Sequence, residues 1–277
     1  VVAGTLGSPW RGSVEGLQCG GTYHVAVRAT NCAGLQHTVA SEGAKLCCQG
    51  PTPGSATVTN ATGHSVSFAT NASELQVQWG GFEDTCSGVR EYVVSLAADA
   101  GGAALWQAGV DVAATAVLPL PAEVVGQLTH ATRYTVAVRA VSHAGLVGEA
   151  SASFTVDLTP PTVASVSDGS EAGHDLSCSA PSSLGCSWSG LASGVASIVR
   201  LEWGIGTHAG LDDVLPFAQV QTDRLSAFVE GSVSLAASTR LYCAVRVTNA
   251  AGASSIRASD GMQVLDAASC TEPFTCV

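Results

Sequence analysis

One stretch recurs three times and sets most of what this chain can fold into. Residues 22–34 read Thr-Tyr-His-Val-Ala-Val-Arg-Ala-Thr-Asn-Cys-Ala-Gly, residues 133–145 read Arg-Tyr-Thr-Val-Ala-Val-Arg-Ala-Val-Ser-His-Ala-Gly, and residues 240–252 read Arg-Leu-Tyr-Cys-Ala-Val-Arg-Val-Thr-Asn-Ala-Ala-Gly. The shared arginines, Arg28, Arg139 and Arg246, lie 111 and 107 residues apart, about the length of one β-sandwich domain. In the second copy Tyr134, Val136, Val138 and Ala140 fall on one face, Thr135 and Arg139 on the other. That alternation is the period of a half-buried strand, and the Ala-Gly pair that follows is a turn signal.

Composition agrees with strands. Hydrophobic residues make up 46% of the 277 residues and charged ones 12%, which leaves ample apolar surface to bury. Long helix-forming side chains are scarce, with a single lysine, Lys45, and a single methionine, Met262, so short strands and turns are expected rather than helices. A net charge of -11 with scattered arginines cannot neutralise a run of phosphates and argues against nucleic acid as a partner. The most apolar stretch, Ala103 to Val125, carries Gln107, Asp111, Pro119, Pro121 and Glu123 and is no membrane span.

The cysteines set the compartment. Cys19, Cys32, Cys47, Cys48, Cys86, Cys178, Cys186, Cys243, Cys270 and Cys276 include no Cys-x-x-Cys pair and no histidine at zinc-ligand spacing, so no metal or other cofactor is expected. An even number of scattered cysteines predicts disulfides and a secretory route to an extracellular or cell-surface location. The tripeptides Asn60-Ala61-Thr62 and Asn71-Ala72-Ser73 are N-glycosylation acceptors and point the same way. The sequence shows no initiator Met, signal peptide or lipidation motif and reads as a piece of a longer secreted protein.

The expected organisation is all-β, as tandem sandwiches. Residues 1–49 hold only the later half of a repeat, with Leu17 placed before Tyr23 as Leu128 is before Tyr134. The missing strands are expected upstream or from a neighbouring subunit, because the segment otherwise exposes half a core. Residues 50–158 form a complete repeat after the linker Gln49–Gly54: strands near 56–59, 75–79 with Leu75, Val77 and Trp79 inward, 89–96, 105–106, 115–118, 134–141 and 152–156. After Asp157-Leu158-Thr159-Pro160-Pro161, a stiff linker, residues 159–269 repeat the plan. Residues 270–277 begin a further linker or domain.

The chain resembles fibronectin type III and related Ig-like repeats. The resemblance rests on Trp79 and Trp188 ending early strands, on the Tyr-x-Val-x-Val-Arg-Ala strand at Tyr23 and Tyr134, and on Ser-Gly-Val turns after the tryptophan strands. With the Thr-Pro-Pro boundary from Thr159 to Gly169, it is similar to modules strung along adhesive and filament-forming surface proteins of green algae, among them mastigoneme-type glycoproteins of the flagellum. That likeness implies hydroxylation and O-glycosylation at Pro51, Pro53, Pro160 and Pro161. The third repeat departs from the pattern: Leu241 takes the tyrosine position and Tyr242 follows it, so the tyrosine corner is expected to be missing there.

Aligned on tryptophans and arginines, Cys186 and Cys243 replace Val77 and Val136, core-facing positions of opposite sheets. A Cys186–Cys243 bond is expected, as in antibody-type domains, with Cys178 as competitor. Cys270 and Cys276 can close a tail loop. Cys19, Cys32, Cys47, Cys48, Cys86 and Cys178 can form three more bonds. Adjacent Cys47 and Cys48 take different partners, and one can staple across the linker to Cys86. Bonds to another chain stay open.

Catalytic constellations are missing from the sequence: there is no Gly-x-Ser-x-Gly, His-Glu-x-x-His or phosphate loop. His24, His37, His64, His130, His143, His174 and His208 are isolated, and Glu83-Asp84 and Asp212-Asp213 match no calcium loop. Trp106 and Trp203 fall on candidate edge strands. The expected function is non-enzymatic: a structural segment of an extracellular glycoprotein that assembles with copies of itself or similar glycoproteins into a fibre. The alternatives are an adhesion or gamete-recognition ectodomain binding in trans, and a carbohydrate-binding module on a wall enzyme.

Overall fold

In the computed structural model the described residues are 13–101, 103–112, 116–171, 174–179, 184–229 and 239–264. The first repeat is an open ribbon: β1 (Thr22–Tyr23), β2 (Ala26–Thr30), β3 (Gln36–Ala40) and β4 (Ala44–Lys45). β1 pairs with β4 and β2 with β3, both antiparallel. The tip of the β2–β3 hairpin is set locally. Asn31 Oδ1 accepts the amides of Ala33 (3.0 Å) and Leu35 (2.9 Å), and Gly34 sits at φ 79°, where a side chain would be strained. The same turn recurs at Gly145 (φ 79°) and Gly252 (φ 85°). No second sheet among the described residues covers the ribbon, and Val25, Val27, Leu35 and Val39 are 59–70% exposed.

The second repeat closes. Its elements are β5 (Ser55–Asn60), β6 (Phe68–Ala69), β7 (Leu75–Gly80), β8 (Val89–Ala98), β9 (Trp106–Asp111), β10 (Val117–Pro119), the one-turn helix α1 (Ala122–Val125), β11 (Arg133–Ser142) and β12 (Val147–Val156). They form a three-stranded sheet β10-β7-β5 and a five-stranded sheet β6-β12-β11-β8-β9. Alternate residues of each face inward: Val58, Val77 and Trp79 from one sheet meet Val94, Leu96, Tyr134, Val136, Val138 and Phe154 from the other, the layered packing of a sandwich. α1 was not expected from composition. It lies within the apolar 103–125 stretch and plugs the core with Val124 and Val125, Leu128 following. β12 begins at Val147, earlier than the 152–156 expected, because it hairpins with the whole of β11 while its first half has little apolar alternation.

The third repeat uses β13 (Thr162–Asp168), β14 (Cys178–Ser179), β15 (Gly185–Ala192), β16 (Ile198–Gly206), β17 (Leu215–Val220), β18 (Ser226–Phe228), β19 (Arg240–Asn249), β20 (Ser254–Ala258) and β21 (Met262–Val264). Sheet β13-β15-β18 packs on β14-β21-β19-β16-β17, with β20 also on β19. Trp203 is therefore not on an edge: β16 lies between β19 and β17, and Trp203 is 5% exposed. Trp106 does lie on the edge strand β9, half-buried.

The repeated arginine stands on the outer face each time. Arg28 Nε donates to Thr38 Oγ1 (3.3 Å), Arg139 pairs with Glu149 (3.4 Å), and Arg246 forks onto Glu202 at 2.7 and 2.9 Å while lying 4.2 Å over Phe217. Tyrosine corners close the first two repeats: Tyr23 Oη accepts the Gln18 amide (2.7 Å) and Tyr134 Oη the Thr129 amide (3.1 Å). In the third repeat Leu241 is fully buried at that place, and Tyr242 turns outward beneath Arg240.

Candidate functional site

The residues with the most specific geometry cluster where one repeat meets the next. At the first junction, Cys47 is bonded to Cys86 (S–S 2.06 Å) and Cys48 to Cys19 (2.07 Å). Neighbouring side chains of an extended segment point opposite ways, which sends Cys47 forward to the loop after the tryptophan strand and Cys48 back to the segment before β1. Asp84 shapes that receiving loop. Its Oδ1 accepts the amides of Cys86 (2.7 Å) and Ser87 (3.1 Å), and its Oδ2 accepts Ser87 Oγ (3.1 Å). The backbone amides of Ser87 and Cys86 hold its pKa below the ordinary carboxylate value.

The second junction is built on Asp157, fully buried just after β12. Oδ1 accepts the Thr159 amide (2.9 Å) and Oδ2 the Ala196 amide (2.8 Å). Asn249 Nδ2 donates to Asp157 Oδ2 (3.4 Å) and to the Thr159 carbonyl (3.2 Å). His130 is not isolated: its Nδ1 lies 3.5 Å from Asp157 Oδ1 and accepts the Leu158 amide (3.1 Å). Strand register makes the two junctions comparable. Tyr23 faces Ala44 as Tyr134 faces Phe154, so Cys47 and Asp157 are equivalent positions. Each ties to the loop carrying Ser-Gly-Val in the following repeat, through Cys86 or through Ala196.

Inside the third sandwich, Cys186 and Cys243 are joined across the core (S–S 2.02 Å, Cα–Cα 5.7 Å), both fully buried. Beside them Asp168 takes the register place of Val58, since Asp168 faces Cys186 as Val58 faces Val77. Its Oδ1 accepts Ser259 Oγ (2.8 Å) and the Cys243 amide (3.3 Å), and its Oδ2 accepts the Gly261 amide (3.0 Å). These contacts fasten the break between β20 and β21. Burial pushes the Asp168 pKa up to about 6, with the Asp175 carboxylate adding to the rise. Asp168, Asp175 and Asp260 each bring a carboxylate oxygen to within 4.8 Å of the others. The hydrogen bonds that Asp168 accepts identify it as a fold-closing residue.

Cys32 is unpaired and exposed in the β2–β3 turn, contrary to its expected disulfide, because the hairpin tip carries it away from the cysteines of the junction. Cys178 lies in β14; Cys270 and Cys276 fall outside the described residues. Asn60 is half-buried at the end of β5, where its Oδ1 accepts Thr62 and His64 amides; Asn71 is exposed in a turn. Pro53 and Pro160 are exposed, whereas Pro51 and Pro161 are buried, leaving no room for an O-glycan on those two in the folded chain. The other acidic loop is self-capped: Asp212 accepts the Phe217 amide, and Asp213 accepts the Thr207 amide and hydroxyl. His24, His37, His64, His143, His174 and His208 are all exposed. No helix among the described residues is long and apolar enough to cross a membrane.

No family model matches the chain, and no curated protein does. Solved structures similar to it include the FN1–FN3 domains of chicken CNTN1, at 14% identity, covering 86% of this chain and 76% of that one, with a TM-score of 0.44. A Ca2+-stabilised adhesin with which an Antarctic bacterium binds ice is 14% identical, covering 88% and 57%, TM-score 0.40. A 1.5-MDa bacterial ice-binding adhesin is 16% identical, covering 88% and 74%, TM-score 0.39. All three scores are low, and the all-β sandwich architecture rests on the chain's own strand pairing.

Proposed function

We propose that this chain is a non-enzymatic structural segment of an extracellular glycoprotein, in which modules 50–158 and 159–269 act as stiff spacers of a fibre or surface filament. The observation that supports this best is the fastening of both junctions. A disulfide at the first (Cys47–Cys86) and a buried carboxylate at the second (Asp157 to the Ala196 amide) hold successive modules at the same position. Module pairs joined only by a linker move freely, since small inter-domain interfaces are the rule; ties of this kind restrict that motion. Disulfides accord with an oxidising, secretory setting. Glycans are proposed on Asn60, Asn71, Pro53 and Pro160. The finer reading, a filament of the mastigoneme type on an algal flagellum, rests on the sequence resemblance alone.

Negative-stain electron microscopy of the native protein, with and without reductant, tests the proposal. Regular fibres with an axial repeat of one or a few modules are expected. Single flexible rods would overturn fibre assembly in favour of an adhesion ectodomain that binds in trans.

A further inference from the structure

The exposed face of the first ribbon has a complement displayed twice in the same molecule. By register, Tyr23, Val25 and Val27 are the counterparts of Tyr134, Val136 and Val138, and of Leu241, Cys243 and Val245. The six counterparts are 0–5% exposed, whereas Val25 and Val27 are 68% and 65% exposed, with Leu35 and Val39 beside them at 70% and 59%. In both closed sandwiches what covers this face is a three-stranded antiparallel sheet, β10-β7-β5 or β13-β15-β18. Its central strand carries Trp79 or Trp188 toward the core. The spacing is regular. Ser55 precedes Arg133 by 78 residues and Thr162 precedes Arg240 by 78, while Trp79 and Trp188 precede Tyr134 and Leu241 by 55 and 53.

We infer that the face formed by Tyr23, Val25, Val27, Leu35 and Val39 docks a three-stranded antiparallel sheet with a core tryptophan on its central strand, supplied by polypeptide continuous with this chain ahead of Thr22. The route of the chain favours that source. Gln18 reaches the Tyr23 hydroxyl as Thr129 reaches that of Tyr134, and the Cys19–Cys48 bond anchors the approach, so the segment before β1 arrives as it does in a closed module. A second copy of the chain is a poor occupant, since its own tryptophan sheets are already covered. The inference does not depend on fibre assembly, because a monomeric rod would cover the same face.

Two readings test it. In the natural polypeptide, a strand is expected to start near 78 residues before Thr22, with a tryptophan 53–55 residues before Tyr23; a preceding sequence without such strands overturns the inference. Hydrogen–deuterium exchange then compares the 277-residue chain with the same chain extended by that preceding polypeptide. Peptides over Tyr23–Ala40 are expected to slow by at least about 100-fold on extension, approaching the Tyr134–Ser142 peptides in the same sample, and Val25→Asp in the extended protein is expected to undo the effect. Exchange that the extension leaves unchanged overturns the inference. So does protection that rises with concentration of the 277-residue chain, which assigns the face to a second copy, or protection found only with a separate co-purifying subunit.

Discussion

Cys47 and Asp157 occupy the same position in successive repeats, each just beyond the last strand and each bonded into the loop after the next tryptophan strand. One tie is covalent and redox-labile, the other electrostatic and indifferent to thiols. Mild reduction is expected to loosen only the first junction. Asp157→Ala is expected to loosen only the second, and to cost about 3 kcal/mol by stranding the Ala196 and Thr159 amides. Small-angle scattering checks the added flexibility, and calorimetry of each variant checks its stability.

The Cys186–Cys243 bond spans a 57-residue separation at a place where the second sandwich buries Val77 and Val136. The double change Cys186→Val, Cys243→Val is expected to leave the third sandwich folded but less stable by roughly 2–4 kcal/mol. Denaturant titration of the wild type and the variant would read the difference. A variant as stable as the wild type would show that packing, not the cross-link, carries this core.

Asp168 gives the third sandwich a distinctive pH response. Its folded-state pKa is about 6 against an ordinary 3.8, so the folded chain holds the proton more readily than the unfolded one. Its contribution is fully present below about pH 4 and is lost as pH rises through about 6, amounting to at most about 3 kcal/mol. Glu202, Asp84 and Asp213 are held below the ordinary range by Arg246, by the Ser87 amide and by Thr207 respectively. Their stabilisation is lost as pH falls from about 5 through the ordinary carboxylate values, so the window above about pH 5 is clear of them. Thermal melts from pH 5 to 7.5 are expected to show a decline that Asp168→Asn flattens.

Tyr134→Phe removes the hydroxyl that accepts the Thr129 amide and keeps the ring stacked on Phe154. A loss of about 1 kcal/mol is expected, confined to the second sandwich. The transition of the third, which has Leu241 at that place, serves as the reference in the same melt.

Cys32 is free and exposed. Alkylation of the unreduced protein followed by peptide mapping is expected to label Cys32 and to spare Cys19, Cys47, Cys48, Cys86, Cys186 and Cys243. Label on any of those six would redraw the disulfide map.

The strands with clean alternation were legible in the sequence because one face is buried: Leu75, Val77 and Trp79 point inward as their pattern dictates. So was the missing corner at Leu241, since a leucine has no hydroxyl to offer. β6 and β14 were not legible, for a two-residue strand has no period to detect. The junctions were harder still. Asp157 reads as a linker residue, and only the fold shows that Ala196 and Asn249, 39 and 92 residues away in sequence, converge on it. Asp168 was hidden for a similar reason, being a polar residue at an aligned core position. The junction cysteines were visible, but their partners depended on which way two adjacent side chains turn.

The parallel pairs β6–β12 and β14–β21 bear on what tension along the chain would do. In each sandwich the short strand comes early and its parallel partner comes last. In the third sandwich a pull from the two ends draws the pair past each other in shear, loading its hydrogen bonds together, whereas an antiparallel hairpin pulled from its open end peels bond by bond. In the second, the Cys47–Cys86 bond carries the tension past residues 48–85 and shields β6, so the β6–β12 patch bears load only once that bond is reduced.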